Sequence, residues 1–173
     1  MFHALANAGG PPAELLIGSS AVRAHRCAAG GKGGSKIRPS VVREADHQNP
    51  CSDGWIVPAG CLLLTGGQVA DCTAGALLIE QMPAAPILHA DKGYDSNAIR
   101  EQVRGRGAFA NIPPKANRKW KNCFSPFLYR DRNAFERMFC RIKDFRRIAT
   151  RYDRLARNFL AAVCIAATVS YWL

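Results

Sequence analysis

The sequence predicts a mixed α/β layer fold. Strand-like apolar runs dominate its first half, strands alternate with amphipathic helices in its second, and 173 residues at 48% hydrophobic against 21% charged suffice for one core. Residues 14–17 are a short apolar run after Pro11 and Pro12, the mark of a buried strand, and Gly18-Ser19-Ser20 ends it. AAGGKGGSK, residues 28–36, is a flexible loop. Residues 37–61 mix Pro, Trp, Cys and single charges with neither a period of two nor one of 3.6. No element is predicted there, so 28–61 reads as loop or disordered chain.

Order returns at Leu62. LLLTGGQ reads as strand then turn, and residues 71–82 as an amphipathic helix closed by Pro83 and Pro86. Residues 87–90 make a short strand with Asp91 at its C-terminal end. Ser96 can N-cap a helix over 97–104, which Gly105 and Gly107 stop. AFANIP is a further strand, KANRKWKN a polar loop, and a long helix over 130–148 precedes an apolar C-terminal helix.

The chain carries 24 Lys and Arg against 13 Asp and Glu, a net charge of +11. Its basic residues crowd between Arg100 and Arg157, so a polyanion is the natural partner. A highly soluble basic surface with no ligand is the alternative. Seven cysteines, odd in number and with no Cys-x-x-Cys pair, suggest reduced cytosolic thiols rather than zinc or disulfides. The N-terminus lacks the basic and apolar regions of a secretory signal. Residues 155–173 are apolar, but Arg157 and Asn158 interrupt them and leave less than a membrane span, so a core helix is expected.

Turning about 100° per residue separates two faces on the long helix. Phe135, Met138, Phe139, Ile142 and Phe145 fall within roughly 120° as a core face. Tyr129, Arg132, Glu136 and Lys143 share an arc of about 60° on another. Alone, that second face could be a solvated one with an Arg132–Glu136 pair worth about 0.3–0.5 kcal/mol. The spacing Tyr129-(2)-Arg132-(3)-Glu136-(6)-Lys143, however, resembles the Y-(2)-R-(3)-E-(6)-K pattern of DDE-type bacterial insertion-sequence transposases. The resemblance extends over LLLTGGQVADCTAGALL, ADKGYDSNAIREQ, NIPPKANRK and RRIATRYDRLARNFLAA, and in part over GGPPAELLI and AHRCAAGGKGG.

The resemblance implies an RNase H-like mixed sheet flanked by helices. It implies a DNA phosphoryl transferase that cuts and joins strands in transposition, using three carboxylates to hold two Mg²⁺ ions. Hard Mg²⁺ prefers oxygen ligands, and a metal pair serves both the attacking and the leaving oxygen. Asp91 and Glu136 fall on the family's second and third carboxylates, and so on its metal ligands. Tyr129, Arg132 and Lys143 would hold DNA phosphates, and Arg141, Arg146, Arg147 and Arg151 would extend that track. DNA is the implied partner, the transposon ends in intact members, with a homo-oligomer allowed. The implied location is the bacterial cytoplasm, at the nucleoid.

The sequence also departs from the family, as a truncated and degenerate copy would. Gly18 stands where the first aspartate belongs, in a motif like IDST-x-V-x-AH-R that here reads IGSSAVRAHR. Glu14 shares strand parity with position 18 but lies about 13 Å away along a strand. Residues 46–58 can be encoded so that another reading frame yields TTKIHALTDGLS, the text such proteins carry before this strand. Residues 37–45 likewise can hide QAIGRSRGG. A frameshift-scrambled stretch over 37–61 is therefore expected to leave the N-terminal strands of the sheet incomplete. The chain also starts close to the first strand of the site, without the expected DNA-end-recognition region. As a whole, residues 1–173 read as a single partial catalytic domain with its activity lost, or else as a non-catalytic basic DNA-binding remnant or pseudogene product.

Overall fold

A computed structural model describes residues 14–29, 36–45, 61–130 and 133–172. Strands β1 (Glu14–Ser19), β2 (Val22–Ala24), β3 (Lys36–Ala45) and β4 (Cys61–Gly66) come first, with one helical turn, α1 (Arg26–Ala29), among them. Helix α2 (Asp71–Gln81), strand β5 (Ile87–Ala90), helix α3 (Asn97–Gly105) and strand β6 (Phe109–Asn111) follow. The chain continues with α4 (Pro126–Tyr129), α5 (Asn133–Lys143), α6 (Arg146–Ala149), β7 (Thr150–Arg151) and α7 (Ala156–Trp172).

These strands join one sheet in the order β6-β5-β1-β3-β2-β7, with β4 also on β3. β1 and β2 follow one another along one edge of β3, antiparallel to it, and β4 runs antiparallel along the other. β5 is parallel to β1, and β6 to β5. With β1 and β2 counted as one broken strand, the ladder reads fifth, fourth, first, second, third, three antiparallel strands and then two parallel ones. That is the RNase H-like mixed sheet the sequence led us to expect.

One expectation fails here. The stretch in which no element was predicted holds one: β3 occupies ten of its residues and pairs on both flanks. Pro39 disguised it, because proline normally argues against a central strand. Pro39 pairs with Leu64 on one side, while on the other it falls opposite the break between β1 and β2, where that ladder is already interrupted. Residues 46–60, the rest of the supposedly scrambled stretch, lie outside the described residues.

β1 lies between two layers and is apolar on both faces, the pattern of a strand covered on either side. Leu15 and Ile17 pack with Leu78 and Ile79 of α2, Leu88 and Ala90 of β5, and Ile99 and Val103 of α3. Leu16 points the other way, into Met138, Phe139 and Ile142 of α5 and Phe159 and Val163 of α7. The helices therefore flank the sheet on both faces. No helix among the described residues is long and apolar enough to cross a membrane.

The long helix expected over 130–148 is instead broken between α5 and α6. The Asp144 N–H bonds back to the carbonyls of both Cys140 and Arg141, closing α5, and Phe145 is extended at φ −73 and ψ 109. No Gly or Pro marks this break. Its gain is tertiary: turning the chain buries Ile148 in the core and lets Thr150 and Arg151 pair with β2. Phe145, assigned to the core face by periodicity, is exposed as a result. Arg151, expected on a basic surface track, is fully buried and donates to the Ala28 carbonyl.

A buried polar chain crosses the parallel strands. Asn111 uses both amide hydrogens, on His89 Nδ1 at 3.1 Å and the Ser125 carbonyl at 3.2 Å, and its Oδ1 accepts from Ser125 N at 2.9 Å. His89 Nδ1 must then be the acceptor, so the ring is the neutral Nε2–H tautomer and donates to Glu14 Oε2 at 2.9 Å. Glu14 is thereby committed to the sheet interior and cannot replace a carboxylate at position 18. Asn111→Ala would orphan a buried acceptor and free Ser125. Urea unfolding is expected to show a loss of about 2 kcal/mol or more, and an unchanged midpoint would count against the network.

Candidate functional site

The parallel pairing of β1 with β5 runs through Ile17 beside Ala90. One step further along the same register brings Gly18 beside Asp91, at the C-terminal edge of the sheet. Asp91 leaves β5 in extended conformation and caps the short 3-10 turn Lys92–Tyr94, its Oδ1 accepting from Gly93 N at 2.6 Å. Gly18 is buried. Asp91 follows the last residue of β5, the strand-end position in which the sequence reading placed it.

Two serines next to Gly18 tie this edge to a helix on either layer. Ser19 Oγ donates to Asp71 Oδ1 at 2.9 Å, in the first turn of α2. Lys143 Nζ, at the last residue of α5, donates to Ser20 Oγ at 2.5 Å and reaches the Ala21 carbonyl at 3.4 Å. Lys143 is thus held against the end of β1, and Glu136 sits two turns earlier on the same helix, on the face it shares with Lys143.

Pattern reading did not single out Asp71, which reaches the same edge through Ser19 and Gly93. A methyl group on Gly93 would stand 2.7 Å from Asp91 Oδ1 and 2.9 Å from Asp71 Oδ2, so both carboxylates crowd against Gly93. Only glycine lets the chain come so close to both. The available signal was an acidic residue opening a helix after a Gly-Gly turn, which the favourable field of a helix N-terminus explains equally well.

The other predicted residues divide. Tyr129 does not belong to the helix that carries Glu136; it ends α4, where its ring meets Phe124 edge-on at 5.1 Å. Arg132 lies outside the described residues. Arg141, Arg146 and Arg147 are exposed, the last two on α6 beyond the break. Arg147 pairs with Asp153 at 2.8 Å, and that hydrogen bond holds the Asp153 carboxyl below its ordinary value.

A two-metal centre needs three converging carboxylates, and these residues do not fit it. Position 18 has no side chain, one oxygen of Asp91 is engaged by Gly93 N, and one oxygen of Asp71 by Ser19. Among the described residues no group of three or more His, Cys, Asp or Glu could hold a metal ion. What the edge does present is Asp91 and Asp71 close to Gly93, with Lys143 held on Ser20 from the other layer and Arg141 of the same helix exposed.

Comparison with known proteins gives three findings. Residues 88–173 match the family described as transposase DDE domain. A putative transposase for insertion sequence element IS6501 from Brucella ovis (strain ATCC 25840 / 63/290 / NCTC 10512) is 27% identical over 110 residues, covering 63% of this chain and 84% of that protein. Among solved structures, the cryo-EM structure of the piggyBac transposase synaptic complex with hairpin DNA aligns at TM-score 0.42 and 12% identity, over 68% of this chain. The chain spans only 26% of that larger protein.

Proposed function

Because this chain belongs, through residues 88–173, to the DDE-type insertion-sequence transposases, we propose that it is a transposase phosphoryl-transfer scaffold that binds DNA but no longer cleaves it. Gly18, lying next in register to Asp91, carries this reading. The scaffold is built, with β1 and β5 adjacent and Lys143 of α5 held at the end of β1, yet position 18 offers no side-chain carboxylate. In this reading Asp91 and Glu136 are the second and third carboxylates of the inherited site. Two Mg²⁺ ions would need compensating charge on all three positions. With one missing, we assign strand cleavage and transfer to the ancestor and not to this copy.

DNA binding rests on separate ground. The net charge of +11 and the exposed Arg141, Arg146 and Arg147 suit a phosphate backbone, with Lys143 held at the end of β1, and the family pattern adds Tyr129 and Arg132. Such contacts position DNA without reading its bases.

Incubation with supercoiled plasmid in Mg²⁺ or Mn²⁺ should yield no more nicked product than an Asp91→Ala control. Retention of duplex DNA on filters should fall steeply with salt, by about 0.9 in log K per tenfold salt for each phosphate contacted. Metal-dependent nicking that Asp91→Ala abolishes would overturn the loss of cleavage. Failure to retain duplex at low salt would remove the DNA-binding role.

A further inference from the structure

The segment between β6 and α4 leaves the sheet at the same C-terminal edge as Asp91, and it is pinned at both ends. At its start the buried Asp95 carboxylate, in the turn just after Asp91, accepts from Lys115 N at 2.8 Å and from the Arg118 guanidinium. Arg118 also donates to Asn97 Oδ1 at 2.7 Å. At its end Ser125 is fixed by the buried Asn111 side chain. Between these anchors the chain projects Lys119-Trp120-Lys121.

Trp120 is 87% exposed and Phe127, just past the second anchor, 72% exposed. Arg130 lies over the Phe127 ring, 5.3 Å from its centroid. From residue 102 to 130 the sequence holds no Asp or Glu, while Lys115, Arg118, Lys119, Lys121 and Arg130 stand in it. The same segment, through Asn122 and Cys123, walls an open cleft of about 570 Å³ whose other side includes Arg104 and the exposed ring of Phe109. That volume is in the range of sites that take nucleotide-sized ligands.

A single exposed aromatic is ordinary. Here a tryptophan is held out between two lysines on a loop anchored at both ends by hydrogen bonds to Asp95 and Asn111, over a run of chain without any negative charge. Anchoring lowers the entropy lost when a ligand stacks on it, and the lysines complement phosphates on either side of the stacked base. We propose that the loop over residues 112–125 is a binding platform for unpaired DNA, with Trp120 stacking on an exposed base and Lys119 and Lys121 holding the flanking phosphates. The proposal rests on DNA being the partner and adds which form of DNA this loop selects: a single strand or frayed end, since bases in a duplex are already stacked.

The test uses the full chain with a single-stranded oligonucleotide and a duplex of the same length, each carrying 2-aminopurine. Trp120→Ala is expected to weaken single-strand binding about ten-fold or more, leave duplex affinity near that of the parent, and abolish quenching of the 2-aminopurine. Trp120→Phe should retain most of the affinity. Lys119→Ala should weaken both ligands and reduce the salt slope by about one contact. An unchanged circular dichroism melt will show that these surface variants stay folded. A parent that binds DNA while Trp120→Ala loses nothing on single strands overturns the platform alone. A parent that binds neither ligand at low salt overturns the platform and the DNA reading together.

Discussion

Asp95→Ala is expected to cost about 3–5 kcal/mol, a large share of the 5–15 kcal/mol that typically separates folded from unfolded domains. The carboxylate is buried and accepts three hydrogen bonds, from Arg100 Nε at 2.9 Å, the Arg118 guanidinium and Lys115 N at 2.8 Å. Removing it strands the Arg100 guanidinium, itself buried, with only the Ala110 and Ile112 carbonyls at 3.2 and 2.8 Å. Neutral carbonyls do not balance a buried positive charge, which is why breaking such a pair is worse than never having built it. Guanidinium chloride unfolding of parent and variant measures the loss, and a difference under 1 kcal/mol would show that water reaches Arg100 freely.

The same carboxylate sets an acid limit. Burial pushes the Asp95 carboxyl up, but the Lys115 N–H and the guanidiniums of Arg118 and Arg100 outweigh it and hold it below its ordinary value. A carboxyl depressed in the folded state contributes stability that is complete above the ordinary carboxylate range, about pH 4. That contribution is lost as pH falls below this range through the folded-state value. The melting temperature of the parent should therefore drop steeply below about pH 4, and Asp95→Asn should flatten that part of the profile.

Gly18→Asp should have the second large effect, with opposite signs in two conditions. Without metal, the new carboxylate is buried beside Asp91, and like charges without a counterion should lower stability by about 1–3 kcal/mol. With Mg²⁺ or Mn²⁺ at a hundred times its dissociation constant, binding to the folded state should return about 2.7 kcal/mol. The variant thus becomes metal-dependent in its melting temperature, while the parent's does not move and EDTA reverses the gain. A variant insensitive to metal would mean that position 18 does not face Asp91 as the register requires. A parent stabilised equally by metal would point to Asp71 as a carboxylate already serving in its place.

The sheet strands outside β2, β3 and β7 were legible because their apolar runs are short and bounded by Gly, Pro or Ser. Asp91 was legible for a related reason: a charged residue directly after an apolar run marks a strand end. β3 was hidden by Pro39, whose tolerance depends on a break in a different strand. The end of α5 was hidden because the gain that stops it, the burial of Ile148 and the pairing of β7 with β2, comes from residues distant in sequence. Periodicity grouped Tyr129 with Glu136 and Lys143 by assuming one continuous helix, and the chain changes helix between them. Asp71 was missed because a hydrogen bond from Ser19, 52 residues away, brings it to the edge. Site geometry made by long-range contacts has no local trace.

The strand pairings carry a cost during synthesis. Among the described residues β5 pairs with β1 and β6, and β7 with β2, so the half of the chain that bears the family match depends on the first half to complete its sheet. Conversely, β1 leaves the ribosome long before Ile87 and must wait with one edge open. Such non-local, parallel pairing folds slowly and leaves an apolar strand available to other nascent chains. Split at residue 87, the two pieces should aggregate separately and become soluble only when made together.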